Sequence, residues 1–191
     1  MRKLGPFGIQ SSRVVYKNPW ILVREDRVVS PSGKGGVFGV VEMVAGSSVL
    51  PIDEDGTITL VREYKYGIRR MSVEVMSGGL DKRETPLQGA KRELKEELGI
   101  RARRWQYLGF VDPFTTIVRS PNHMFLASGL SYGSRHLDPD EQIRLVRMPI
   151  GKAARLVEAG KITHSASCVL ILRGHRLWQE GKTRSVDRRK P

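Results

Sequence analysis

Cysteine is almost absent from this chain: Cys168 is the only one in 191 residues. A lone thiol cannot close an internal disulfide, which excludes the disulfide-stapled scaffolds of small secreted domains. Its surroundings, Cys168-Val-Leu-Ile-Leu172, read as a packed segment with a buried, inert thiol. Long apolar runs are missing too. No stretch approaches the roughly 20 residues that cross a bilayer, and the first residues lack the apolar core of a signal peptide, so no membrane partner and a cytoplasmic setting are expected. Acidic side chains are scarce beside basic ones, 20 Asp and Glu against 33 Lys and Arg, for a net charge of +13. Such a balance favours anionic ligands. Aromatic residues are only 7% of the chain and do not interleave with the densest basic runs, Arg101–Arg104 and Lys182–Lys190. Phosphate-bearing small molecules are therefore the expected partners, and a dedicated nucleic-acid surface is not.

Against this basic background one acidic cluster stands out, in the stretch Gly78-Gly-Leu-Asp-Lys-Arg-Glu-Thr-Pro-Leu-Gln-Gly-Ala-Lys-Arg-Glu-Leu-Lys-Glu-Glu-Leu-Gly-Ile100. The spacing predicts a helix over 86–98. Thr85 is its N-cap, Pro86 suits the first turn, Gln88 completes a capping box and Gly99 stops it. Leu87, Ala90, Leu94 and Leu98 fall in one stripe, while Glu93, Glu96 and Glu97 project together from its flank. Carboxylates three and four residues apart on a helix repel one another. Either open solvent or bound cations relieve that repulsion. Among common metals Mg2+ suits the cluster best, because the stretch offers hard oxygen ligands and no His or Cys.

The remaining pattern is mixed. Short extended segments at 12–16, 20–30 and 37–43 are separated by turns at Asn18-Pro19 and Pro31–Gly36, and predict a small antiparallel sheet. A hairpin turning at Asp53–Gly56 joins 48–51 to 57–63, and a strand at 72–76 feeds the acidic stretch. Further strands are expected at 105–111, 123–128 and 143–148, and helices at 152–158 and 165–179. Asp112–Pro121 reads as a loop long enough to reach a substrate, and Ser131–Glu141 as a second polar loop. Strands and helices mix without regular alternation, which predicts an α+β fold with a mixed sheet between helices. The expected domains are an N-terminal β-subdomain at 1–46, a main domain at 47–180 and a basic tail at 181–191.

The acidic stretch resembles the signature of the Nudix hydrolases at every fixed position: Gly78, Glu84, Arg92, Glu93, Leu94, Glu96, Glu97, Gly99 and Ile100. The resemblance implies an α/β/α sandwich and a divalent-cation-dependent pyrophosphohydrolase acting on a nucleoside diphosphate linked to another group. Leu60–Lys65, Glu74, Asp140-Glu141 and Arg155–Ile162 look like the surroundings found in the ADP-ribose pyrophosphatase branch. That likeness implies cleavage of ADP-ribose or a related nucleotide sugar to a nucleoside monophosphate and a sugar phosphate, in a homodimer paired through the N-terminal subdomain. Two other classes stay open: a Nudix enzyme acting on RNA 5′ ends or dinucleoside polyphosphates, and a non-catalytic module of the same fold.

In residue terms, the resemblance implies that Glu93 and Glu97, helped by Glu96 and the main-chain carbonyl of Ser77, hold Mg2+, with Mn2+ as a substitute. Arg92 orients a ligand carboxylate or forms a structural salt bridge, with Glu84 as its partner or as a further ligand. Glu141 is the candidate general base, or one of several acids that keep its loop in water. Trp20 is the candidate for stacking on the base, with a structural role as the alternative, and Arg62, Lys65, Arg70 and Glu74 are candidates for binding the substrate. Relatives usually carry Gln-Tyr-Arg where this chain has Glu63-Tyr64-Lys65. A lysine cannot reproduce the two-pronged grip of an arginine on a phosphate.

Overall fold

A computed structural model describes residues 2–136 and 142–183. The chain divides into two compact units, residues 1–45 with 112–121, and residues 46–111 with 122–191.

In the first unit β1 (Arg2–Leu4), β2 (Phe7–Lys17), β3 (Ile21–Val29) and β4 (Gly35–Met43) follow one another as antiparallel neighbours. Little of this sheet is buried. Ile9 and Val28 are apolar and covered, Phe7 packs edge-on to Phe38, and Asp26 is enclosed between Ser12 and Arg24. Arg24 also reaches Glu42, so charge pairs across strands stabilise the sheet where a core is lacking.

The second unit is a mixed sheet between helices. It comprises β5 (Gly46–Ile52), β6 (Thr57–Lys65), β7 (Arg70–Glu74), β8 (Met76–Gly79), α1 (Pro86–Leu98) and β9 (Ile100–Val111), and, after β10 (Val118–Arg119) of the first unit, the strands β11 (Asn122–Tyr132) and β12 (Arg144–Pro149), then α2 (Ile150–Glu158) and α3 (Ser165–Gln179). The strand order is β12-β6-β5-β11-β9, with β7 paired to β6 and β8 to β5. Only β5 and β11 run parallel. Alternation along each strand supplies two cores. Val49, Val61, Phe125 and Ala127 face Ala90, Leu94 and Leu98 of α1, whereas Leu50, Leu60, Met124 and Leu126 face α2 and α3. The expected sandwich is therefore present. Among the described residues no helix is long and apolar enough to cross a membrane.

One expectation is corrected. Asp112–Pro121 is not wholly a loop, because β10 (Val118–Arg119) pairs in parallel with β4 and belongs to the first unit. Two residues whose pairing partner lies far away in the chain leave no local trace in sequence.

Helix α1 forms as its caps dictate. The Gln88 amide N–H donates to Thr85 Oγ1 while the Thr85 N–H donates to Gln88 Oε1. Gly99 ends the helix in the left-handed region, at φ 66°. A Cβ there would lie 2.4 Å from the backbone oxygen of Gly133, an atom held in place because the Gly133 N–H donates to Gly99 O. Gly99→Ala is thus expected to cost about 2–3 kcal/mol and to lower the melting temperature by roughly 5–10 °C, read by thermal unfolding.

Candidate active site

Residues that open helix α1 and the loop before it are tied together by Arg92. Its Nε and Nη2 donate to the two carboxylate oxygens of Glu84, both at 3.0 Å, its Nη2 also donates to Gly79 O at 3.0 Å, and its Nη1 donates to Glu93 Oε1 at 2.8 Å. Glu96 lies at the edge of reach, 3.4 Å from the same Nη1. These bonds, that to Glu84 above all, raise the guanidinium's pKa and hold the Glu84 carboxyl below the usual carboxylate range. Arg92 is thus a fork between the loop and the acidic face of the helix.

Glu93 is well enclosed, its side chain 12% exposed against 45% for Glu96. Burial raises its pKa, Arg92 pulls it back, and Glu96 pushes it up again. Glu97, one turn further along the helix, draws it down. Gly78, on β8, leaves the room Glu93 needs: a Cβ on Gly78 would lie 2.1 Å from Glu93 Oε1.

Glu97 faces a cavity of about 190 Å3 that Val61, Glu63, Lys65, Glu74, Val75, Ser77 and Ile143 also line. Strand β6 brings Val61, Glu63 and Lys65 to this side, β7 brings Glu74, β8 brings Ser77 and α1 brings Glu97. Burial, the largest single influence on Lys65, draws its pKa down, but Glu63, Glu74 and Glu97 outweigh it and the ammonium titrates above its ordinary value. Ser77 Oγ lies 2.6 Å from Ser48 Oγ, which donates in turn to Asn122 Oδ1 at 2.9 Å. Glu74 is 7% exposed, with His164 Nδ1 at 3.5 Å.

Among the described residues no three Asp, Glu, His or Cys side chains form a ready cation cage. The donors present nonetheless suit a hard divalent ion. They are all oxygens, and an ion that takes one or two carboxylates and fills its shell with water and phosphate needs no more.

The family profile described as "NUDIX domain" matches residues 43–166. The chain belongs to the Nudix hydrolase family. A second profile, "Nucleoside diphosphate sugar hydrolase N-terminal domain", matches residues 9–41. This Nudix hydrolase is 30% identical over 168 residues to a protein named ADP-ribose pyrophosphatase from Mycobacterium tuberculosis (86% of this chain, 81% of that one). It is 31% identical over 149 residues to one of the same name from Bacillus subtilis (74% and 77%). In fold it is similar to a crystal structure of an ADP compounds hydrolase, with a TM-score of 0.79 at 22% identity, covering 95% of this chain and all of that one.

Not every candidate residue of the Nudix hydrolase meets at the cavity. Lys65, Glu74, Ser77 and Glu97 do. Arg62 instead lines a separate, wider cavity of about 530 Å3 with Tyr64, Met71, Gln142, Ile143 and Arg144. Arg70 donates to Thr163 Oγ1 at 3.0 Å. Trp20 belongs to the first unit and is 72% exposed, its backbone N–H held by Asn18 Oδ1. Glu141 lies outside the described residues. Sequence reasoning passed over Glu63 as a lining residue, although its position two residues before Lys65 on a strand places both on one face. It also missed His164, for which no sequence signal exists because its neighbour Glu74 is far away in the chain.

Arg92→Lys is expected to lower turnover by about 10–100-fold, because an ammonium cannot hold both Glu84 oxygens and Glu93 at once. Initial rates on a cleaved nucleotide substrate measure it. Wild-type rates in this variant would reduce Arg92 to a structural tie.

Proposed function

We propose that this Nudix hydrolase is a Mg2+-dependent pyrophosphatase of ADP-ribose or a related nucleoside-diphosphate sugar, releasing a nucleoside monophosphate and a sugar phosphate. The observation that carries the reading is the meeting of Glu97 and Ser77 with Lys65 and Glu74 in one cavity beside Glu93. Two relatives named ADP-ribose pyrophosphatase, matched over most of both chains, support the choice of substrate.

Glu93, Glu97, Glu96 and the Ser77 carbonyl would hold the cation. Once bound, the ion neutralises charge that develops on phosphorus and lowers the pKa of a coordinated water. Arg92 fixes the Glu93 carboxylate against β8, and Lys65 and Glu74 meet the substrate from β6 and β7. Arg62, Arg70 and Trp20 are secondary candidates for substrate contact, and Glu141 is the proposed general base. The exposed Val14, Val15, Tyr16, Val37 and Phe38 of the first unit support a homodimer paired through the N-terminal sheet, which light scattering tests.

The deciding experiment incubates the protein with ADP-ribose, other nucleotide sugars, dinucleoside polyphosphates or triphosphorylated RNA, in Mg2+, Mn2+ or chelator. AMP and ribose phosphate from ADP-ribose, formed with Mg2+ and abolished by chelation, are expected. Faster turnover of polyphosphates or RNA ends would replace this reading with that of another Nudix substrate class. No turnover of any substrate would favour a binding module.

A further inference from the structure

The cavity's wall away from helix α1 carries a charge pattern of its own. Glu63 and Lys65 lie on the same face of β6 and their side chains join at 2.5 Å. Lys65 is therefore not waiting for a phosphate: its ammonium is committed to Glu63 and also feels Glu74 and Glu97. Glu74, on β7, is almost fully buried. The His164 imidazole beside it does not cancel its charge. Burial and the nearby Lys65 hold that ring's pKa below the ordinary histidine value, so it is neutral near pH 7, and it contacts Ser167 Oγ at 2.8 Å. With Glu97 and Ser77 assigned to the cation, the charged side chains left on the wall among the described residues are Glu63, Glu74 and Lys65, two acidic and one basic.

Such a wall suits a particular chemistry. Hydroxyl groups donate to carboxylates and accept from an ammonium, so a polyhydroxylated group finds both partners. A group bearing its own negative charge meets Glu63 and Glu74 with only a lysine already engaged, and like charges brought together away from bulk water repel. The geometry points to Glu63, Lys65 and Glu74 as a specificity-determining wall that accepts the neutral sugar of a nucleoside-diphosphate sugar and rejects a moiety carrying further phosphate or a carboxylate. This inference rests on the pyrophosphatase reading above and names what distinguishes its substrates.

The test uses two uncleavable ligands, the methylene-bridged diphosphate analogues of ADP-glucose and ADP-glucuronic acid, which differ by one carboxylate. Each is titrated calorimetrically into the full chain with Mg2+, so no turnover is needed. The wild type is expected to bind the neutral analogue about tenfold tighter. Glu63→Gln releases Lys65 and removes one repelling charge, and the ratio should fall to near one, chiefly through tighter binding of the glucuronate. Glu74→Gln should shift it in the same direction, and the partly exposed Glu63 gives a readout even if the buried position does not tolerate change. Equal wild-type affinities, binding of neither analogue, or a ratio unmoved by both substitutions would overturn the inference. If ADP-ribose is hydrolysed while the two analogues bind alike, only the wall is refuted. If no nucleotide sugar is hydrolysed, the functional reading falls and the binding ratio still reports on the wall.

Discussion

Glu97→Gln is expected to lower kcat by about 10³-fold on whichever nucleoside-diphosphate substrate the wild type cleaves, with the fold intact. Glutamine has nearly the size and helix propensity of glutamate. The main-chain carbonyl of residue 97 still accepts from Arg135 Nε at 2.6 Å, so the tie at the end of α1 survives. What disappears is one negative charge beside Glu93, whose pKa burial has already raised. Losing that charge removes repulsion between carboxylates on adjoining turns but also attraction to Lys65, so the melting temperature should hold while turnover falls. That separation of activity from stability marks a group retained for chemistry. Initial rates with saturating Mg2+, paired with thermal unfolding, measure both. A loss under tenfold would remove Glu97 from the proposed metal site.

Gly78→Ala separates the same two quantities by a different route. The added methyl would lie 2.1 Å from Oε1, 2.2 Å from Cδ and 2.7 Å from Cγ of Glu93, so the carboxylate must leave its position against β8. The atoms displaced are the far end of a flexible side chain, and Gly78 sits in a strand paired to Ser47 without a left-handed backbone. Turnover should drop by about 10²-fold, since small displacements of a positioned group weaken catalysis strongly, while the melting temperature moves by less than about 3 °C. The contrast with Gly99→Ala is physical: there the obstacle is a backbone oxygen that cannot swing away, and the effect falls on stability. Unimpaired rates in Gly78→Ala would show that Glu93 works from another position.

Much of the second unit was legible in the sequence because its signals are local. The caps of α1 and its stripe Leu87, Ala90, Leu94 and Leu98 all lie within the helix or one residue beyond it, and the structure forms the helix over the expected Pro86–Leu98. The Asp53–Gly56 turn is equally local: Gly56 takes φ 84° and its N–H donates to Asp53 O at 3.1 Å. Where partners are distant, legibility failed. The pairing of Val118 and Arg119 with Val41 and Glu42 left no periodic trace. Arg62 and Lys65 looked alike as basic residues near the acidic stretch, yet an odd separation on a strand sends them to opposite faces and different cavities.

By itself the sequence determined the metal-suited helix, its ends and the family signature, because each depends on residues within a few turns of one another. Only the tertiary structure decided which charges act together. Strand pairing and helix packing brought Glu63, Lys65, Glu74, Ser77 and Glu97 to line one cavity, and set His164, from the start of a distant helix, beside Glu74. Strand pairing joins residues by hydrogen bonds between distant parts of the chain, and no pattern along one segment encodes which partner it will meet.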